Sequence, residues 1–412
     1  NVTKIHGRHT LMFGGRVKYE KLNILPDQQQ VQGAHTPASL ATGLYDPASG
    51  STYGAVPFTG HNAANLFLGV MGSYSVNFVR KWYDMHDYEF AMYFQDDFKV
   101  NSRLTLNMGI RWEIYTPVRE ANNILTGFDK DSLSIVNGAD FETMYRTKSS
   151  TPSITRIFAE NLGVKFVRPG DVGLPDGLIH LNKWDFNPRV GAAYTITEGQ
   201  RPFVVRGGYG IYGYPMPLRD FTARMRLNPP TTARFTRSLG DSAQNPDGLP
   251  SWGLRSVPDV IAGVNSRDVL DVNSPGGISR GSFSVVYFHP DQPTSRAHQW
   301  NVTLEKEIFA DTLLKFGYVG THGSRLGMYY SYNGAPNNYV WFTTTGEPLP
   351  TGTYQATARR VFEKTTFGEI EEYRKEGWSN SQNFQLELNR RYSKGLGFQI
   401  YYVMSNSMRA GG

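Results

Sequence analysis

Few residue groupings in this chain have the types and spacing for chemistry, and each fails on its surroundings. Gly208-Tyr209-Gly210-Ile211-Tyr212-Gly213 matches the GxGxxG pattern. That pattern holds phosphate only where a helix N-terminus follows it. Here Pro215-Met216-Pro217 follows, and the stretch alternates like a strand, so nucleotide binding is not expected. Arg206-Gly207-Gly208 is no better as an RNA-binding fragment. His6, His9, His61 and His86 show neither an i, i+4 pair nor HExxH, which speaks against zinc hydrolysis. Phe128-Asp129-Lys130-Asp131 holds two carboxylates but lacks the glycine and closing glutamate of a calcium loop. Gln95-Asp96-Asp97 reads as a carboxylate pair hydrogen-bonded to a turn or to a plug. With Cys 0, thiolate nucleophiles, thiolate zinc sites and disulfide scaffolds are all excluded. No nucleophile-elbow sequence is present. The expectation is a non-enzyme without catalytic, cofactor-binding or metal-binding residues.

The elements that would carry such residues are strands. Among 412 residues there are 24 Tyr, 24 Phe, 7 Trp and 43 Gly, whereas charged residues make up only 19%. Helices would want more Ala, Leu, Glu and Lys. The mean hydropathy is −0.42 and no apolar run approaches the ~18 residues of a membrane helix. Strands that alternate apolar and polar residues average to such a value even when they cross a membrane. The net charge of +6 comes without a Lys/Arg cluster, so a nucleic-acid partner is not expected. Attraction to anionic lipid head groups is compatible with it.

A period of two recurs along the chain. In residues 103–115, Leu104, Leu106, Met108, Ile110, Trp112 and Ile114 share one parity, opposite Arg103, Thr105, Asn107, Arg111 and Glu113. Successive strand side chains point to opposite faces, so this is a strand with one greasy and one wet face. The same holds for residues 9–21, 72–83 and 88–98. It recurs for Val190 to Ile196, Val205 to Tyr212, Trp300 to Glu305, Leu314 to Thr321, Phe384 to Asn389 and Phe398 to Ser405. The polar parity carries Arg103, Arg111, Glu113, Arg189, Arg206, Glu305, Lys315 and Glu387. In a barrel these are candidates for the lumen, pairing with a plug or with a substrate. Tyr74, Trp82, Trp112, Trp300 and Tyr402 are candidates for interfacial aromatic girdles.

Connection lengths add a second signal. Short turns at 100–102, 197–200, 309–312 and 393–395 alternate with Pro/Gly-rich stretches at 117–183, 215–295 and 323–378. Unstructured loops of that length are rare in compact soluble domains. They are expected of bacterial outer-membrane barrels, with short turns inside and long loops outside. Strand parity then asks for a tight outer hairpin at 84–86 and one further inward strand, for which 62–69 is the candidate. The total is about eleven strands at ~9–11 residues per crossing. Asp96 and Arg80 take the apolar parity, but near strand ends, where a charge costs little. An odd number of strands implies a piece of a longer barrel, or pairing with a second chain. The opening Asn1-Val2-Thr3-Lys4 has no signal-peptide character, as expected of a mature chain or one that begins part-way through a longer one.

Several segments resemble the Oar-like branch of TonB-dependent outer-membrane receptors. They are Gly7-Arg8-His9-Thr10-Leu11-Met12-Phe13-Gly14-Gly15, Ala64-Asn65-Leu66-Phe67-Leu68-Gly69 and Tyr93-Phe94-Gln95-Asp96-Asp97-Phe98-Lys99-Val100, the last running into residues 104–113. Asn187-Pro188-Arg189-Val190-Gly191, Gln299-Trp300-Asn301-Val302-Thr303, Gly317-Tyr318-Val319-Gly320-Thr321-His322-Gly323 and Arg391-Tyr392-Ser393-Lys394-Gly395 follow in the family's order. The resemblance implies an antiparallel transmembrane barrel of about 22 strands around a plug. Residues 1–412 would be a partial barrel domain, without plug or N-terminal carboxypeptidase-regulatory-like sandwich. The implied partners are outer-membrane lipid and lipopolysaccharide, the TonB complex, and the remaining strands or plug from a longer or a partner chain. A surface lipoprotein or larger assembly is a further option.

The function this implies is TonB-dependent uptake of a bulky substrate, an oligosaccharide, peptide or chelate, across the outer membrane of a Gram-negative bacterium. A structural or secretion-associated surface protein is the alternative, and a soluble all-β binding protein a third reading. Extraction separates the last from the others. The chain is expected only in the detergent-solubilised fraction, as a heat-modifiable band on a gel; recovery from the soluble periplasm would end the barrel reading.

Overall fold

The computed structural model describes residues 1–24, 34–36, 42–49, 56–68, 73–77, 82–139, 163–199, 201–225, 228–229, 234–238, 284–334, 338–348 and 366–410. In chain order its strands begin with β1 (Val2–His6), β2 (His9–Ile24), β3 (Ala34–Thr36), β4 (Ser73–Asn77), β5 (Tyr83–Lys99) and β6 (Leu104–Tyr115). Next come β7 (Arg119–Glu120), β8 (Thr126–Asp129), β9 (Ser134–Asn137), β10 (Lys165–Val167), β11 (Asp185–Thr197) and β12 (Phe203–Tyr214). The last are β13 (Arg234–Ser238), β14 (Val285–Phe288), β15 (Ser295–Phe309), β16 (Thr312–Ser331), β17 (Ile370–Ser393) and β18 (Leu396–Ala410). Helices are short: α1 (Asn62–Leu68), α2 (Leu218–Met225) and α3 (Asn338–Thr345). No helix among the described residues is long and apolar enough to cross a membrane.

One twelve-stranded sheet dominates, in the order β1-β2-β5-β6-β11-β12-β15-β16-β17-β18, with the short β7 and β14 added to β5 and β17. All neighbours along that order are antiparallel, as tight hairpins require. Five short turns close one end of the sheet, the first at Gly7-Arg8, where Gly7 takes φ 58°. Asp311, Lys394 and Gly395 also take positive φ in their turns. All long connections lie at the other end.

Register shows how the faces are sorted. Directly opposed residues share a face, and the row Leu104, Tyr194, Val205, Leu304, Phe316, Leu386, Tyr402 is apolar across seven strands. The row Gln95, Gly109, Arg189, Gly210, Gln299, Thr321, Ser381, Ser407 on the other face is polar or glycine throughout. The apolar face is the exposed one: Val17 is 69%, Met92 63% and Ile400 60% accessible. Burying such side chains stabilises by about 1.5–3 kcal/mol each, so a contiguous exposed band of them calls for an apolar solvent. Asp96 on this face accepts from His9 Nδ1 at 2.7 Å next to the short-turn end, and His9 stacks on Phe98 at 4.2 Å.

Four sequence expectations are corrected. Residues 62–68 form helix α1: Ala63, Ala64 and the leucines favour it, and His61 accepts from the Ala63 backbone N–H through Nδ1. Seven residues are too few for a test of alternation. Residues 73–77 belong to β4, which pairs with β3 and β13 in a separate three-stranded sheet, and Phe78, Arg80 and Lys81 lie outside the described residues. Residues 84–86 lie inside β5, which pairs with β2 over its whole length, so the outer hairpin and the extra inward strand are both unnecessary. Among the described residues the hairpin strands are therefore ten, against the expected number of about eleven. Residues 1–6 supply β1, too short for the crossing length used as a yardstick. Even so the sheet stays open: among the described residues β1 and β18 each pair on one side only.

The long connections are also more ordered than Pro/Gly-rich loops suggest. Strands β8, β9 and β10 form a small sheet, and β14 adds in parallel to the extension of β17 beyond the barrel wall. Ile124, Val136, Leu178, Phe221, Met225 and Phe288 make a core between these pieces and Met85 of the wall. Asn228 fastens them: its side-chain amide donates to Thr126 O and Val286 O and accepts from Val286 N–H. Buried Glu120 accepts from the backbone N–H groups of Asp84, Asn122 and Ile124. The result is a cap on the long-connection end.

The face assignment is testable in lipid vesicles by denaturant titration. Phe316→Arg should lower stability by about 2–4 kcal/mol, whereas Gln385→Arg on the polar face should stay within roughly 0.5 kcal/mol.

Candidate lumenal recess

The polar face contains a recess of about 600 Å³ bounded by strands β2, β5, β6, β11, β12 and β15. Its hollow comes from glycine: Gly109, Gly191, Gly208 and Gly210 occupy adjoining ladder positions where larger residues would fill the space. Around them stand Tyr93, Gln95, Asn107, Arg111, Asn187, Arg189, Tyr212, Gln299 and Asn301. Each of these side chains bears a hydrogen-bonding group, and Met12, opposite Gln95, adds an apolar one.

Two arginines are held differently. Arg111 donates to Glu113 at 2.7 Å, and buried Glu113 also accepts from Asn187 Nδ2 at 2.8 Å. Its charge is thus largely answered within the wall. Arg189 stands over the Tyr212 ring, its Cζ 4.2 Å from the centroid, a cation–π contact at the lining of the recess. This needs glycine at 210: a Cβ there would come within 3.2 Å of both Arg189 Cγ and the Tyr212 ring.

The other sequence candidates fall nearby or elsewhere. Glu305, Lys315 and Glu387 stand in one row on the same polar face, lower than the recess. Arg206 reaches Glu305 at 3.6 Å, and Gln399 and Asn389 donate to Glu387. Arg103 is not on the wall but in the turn at the short-turn end, where it donates to Glu198 of the neighbouring turn at 3.0 Å. Among the aromatics, Trp112 and Trp300 are at the upper margin of the apolar band. Trp112 donates to Lys183 O at 2.8 Å, and Trp300 lies over Gly320, where a Cβ would collide with the indole. Trp82 is exposed just before β5. Tyr402 is in the middle of the band, in the apolar row with Leu104, and Tyr74 is on β4 away from the main sheet.

Sequence reasoning missed Tyr93, Gln95, Asn187, Gln299 and Asn301 as a group, because it singled out charged residues. Their polar parity was the available signal. It also missed Tyr19 and Tyr88, an outward-facing ring pair 5.0 Å apart at the same margin as Trp112.

Above the recess, under the cap, a second cleft is lined by Tyr115, His180, Tyr214, Phe221, Gln292 and Lys375. Lys375 is on the part of β17 that rises above the membrane-spanning wall and donates to Ser295 Oγ at 2.8 Å. Burial pushes its ammonium down to about 8, with Asp220 opposing the shift. Nearby, buried Glu372 accepts from Arg374 at 2.7 Å and from Tyr332, and Lys130 of the cap approaches it to 3.7 Å. Among the described residues no cluster of His, Asp and Glu could hold a metal ion.

The family model described as outer membrane beta barrel domain matches residues 1–412. No curated protein matches the chain. Among solved structures it is similar to the outer membrane transporter YddB from Escherichia coli, with TM-score 0.45 and 10% identity over 99% of this chain and 32% of that one. The FrpB iron transporter from Neisseria meningitidis gives TM-score 0.37 and 9% identity over 98% and 34%. The alcaligin outer membrane receptor FauA from Bordetella pertussis gives 0.32 and 11% over 82% and 38%. The chain spans about a third of the length of these proteins.

The lysine sets a pH dependence for the cap. In the fold Lys375 loses its proton near pH 8, whereas in the unfolded chain it keeps it to about 10.4. The unfolded state therefore binds more protons in that window, and stability rises with pH. Protease resistance of the cap is expected to increase from pH 8 to 10 in the wild type and to lose that increment in Lys375→Met.

Proposed function

The chain belongs to the outer membrane β-barrel domain family, which places it in the outer membrane of a Gram-negative bacterium, and on that premise we propose that it is the recognition and conduit part of a transporter. The family is one of membrane barrels and not of enzymes. The observation that carries the reading is the inverted sorting of the sheet: an exposed apolar band outside, and a continuous polar face inside that opens into the recess around Arg111 and Arg189.

The polar face supports passage of a hydrophilic solute, since it offers amide, phenol and guanidinium groups in place of water. The breadth of the glycine-floored hollow suits a bulky one, an oligosaccharide, a peptide or a chelate. Loops on a rigid scaffold carry recognition, and the cap is built from such loops. Coupling to the TonB complex, and membership of the Oar-like branch, rest on the serial resemblance of the segments. The free edges of β1 and β18 are to be paired by further strands of the same polypeptide or of a partner, because each orphan backbone group in lipid costs on the order of several kcal/mol. A plug would lie against the polar face, with Arg206, Glu305, Lys315 and Glu387 as its counter-charges.

Uptake of labelled oligosaccharides, peptides and metal chelates by whole cells tests this. Loss of TonB should abolish uptake of the recognised class. Arg189→Ala should reduce it with the amount of folded barrel unchanged. Uptake indifferent to TonB would sink active transport.

A further inference from the structure

The outward face of the sheet does not pass directly from aromatic girdle to water. One residue pair above Tyr19 and Tyr88, Lys21 stands opposite His86, and His86 opposite Arg119 on β7. Three basic side chain types thus form one row across β2, β5 and β7, on the side of the wall that carries the apolar band. Beside this row is a crevice of about 370 Å³, lined by His86, Tyr88, Pro117, Arg119, Ile179 and Leu181. Tyr88 and Leu181 remain exposed there, as does Trp184 a few residues on, next to Phe186. The acidic neighbours are Asp84, part-buried, which accepts from Lys21 at 2.9 Å, Asp176, which meets Arg119 at 3.5 Å, and Asp87, which lines the crevice from the other parity of β5. His180 at the crevice rim is held by Asp291 at 2.9 Å. Surface pairs of this kind contribute little, so Lys21 and Arg119 can exchange a carboxylate for a better anion.

We propose that this crevice is a binding site for a phosphorylated lipid of the outer leaflet, of the lipopolysaccharide class, with the phosphate on Lys21 and Arg119 and an acyl chain against Tyr88, Pro117 and Leu181. Two observations select a lipid over a free anion. Tyr88 belongs both to the crevice lining and to the exposed apolar face, so an acyl chain lying on that face can enter the crevice over its ring. The basic row stands one step above the aromatic margin, at the height of head-group charge, where such rows recognise anionic head groups. Arg119 matches a phosphate with two parallel donors. The inference rests on membrane placement alone and holds whether or not the barrel transports anything.

The test uses the full-length protein, extracted from outer membranes and then placed in nanodiscs of phosphatidylethanolamine with or without bisphosphorylated lipid A. Native mass spectrometry counts the retained lipid. Wild-type protein should keep it, and Lys21→Gln/Arg119→Gln should keep it at least about tenfold more weakly, as expected for two near-surface cations. Arg103→Gln, at the opposite rim, should behave as wild type. Leu181→Glu, which leaves the basic row intact, should also lose the lipid and serves if the double variant folds poorly. Heat-modifiable mobility reports folding of each variant. Equal retention by wild type and both crevice variants would overturn the proposal. So would equal binding of dephosphorylated lipid A, or displacement of the lipid by millimolar inorganic phosphate, which would reveal a bare anion site.

Discussion

The antiparallel hydrogen-bond ladder is what the rest of the structure depends on. In hydrocarbon there is no water to satisfy a backbone N–H or C=O, so each strand that crosses must find both partners in its neighbours. The continuous ladder from β2 to β18, shifted in register only near the short turns and in the upper part of β16, meets that demand. It also dictates everything about the side chains. Because opposed residues share a face, a single polarity choice on one strand propagates across all of them. Leu104 and Tyr402, at the two ends of a seven-strand row, are apolar for one reason, and Gln95 and Ser407 are polar for its complement. The recess is a consequence: where the polar face carries glycines in adjoining register, the ladder holds its shape while the side-chain layer thins.

How much of this was legible in the sequence follows from the same constraint. Strands β6, β11, β12, β15 and β18 could be read because they separate water from lipid and therefore alternate cleanly. The alternation fails as a guide where that separation ends. Residues 73–83 alternate too, yet β4 lies in a small sheet away from the wall, since any two-faced strand produces the period. The upper part of β17, from Ile370 to about Trp378, was read as loop. It stands above the bilayer with both faces in protein or water, so Glu371, Glu372, Arg374 and Lys375 no longer sort by parity. Long-range partners were invisible for a different reason. That Asn228 clasps Thr126 and Val286, or that Glu113 meets Asn187, depends on which strands become neighbours, and a single sequence does not encode that as a local pattern.

The cap changes the physical picture of the long connections. A loop that only dangles has little to bury, whereas these segments enclose Ile124, Val136, Phe221 and Phe288 and draw in Met85 from the wall. Several polar groups enclosed there are matched, by Glu120 and Asn137 as much as by Asn228. Lys375 is a cation in a cleft, donating to a serine hydroxyl with Asp220 as its counter-charge. Its burial is tolerable because the group can shed its charge, which ties the firmness of the cap to proton availability above it.

Strand length has a consequence of its own. The wall is uneven: β6 and β12 have 12 residues each, but β16 has 20 and β17 has 24. At about 3.3 Å per residue, the tall pair β16–β17 projects well past the bilayer surface, while β6 and β12 end as a low sill between it and the 17-residue β5. The cap leans on the tall side through β14. The cap is therefore braced at two places on the wall, on β17 through β14 and on β5 through β7 and Met85, so a force on it loads tall and shorter strands together.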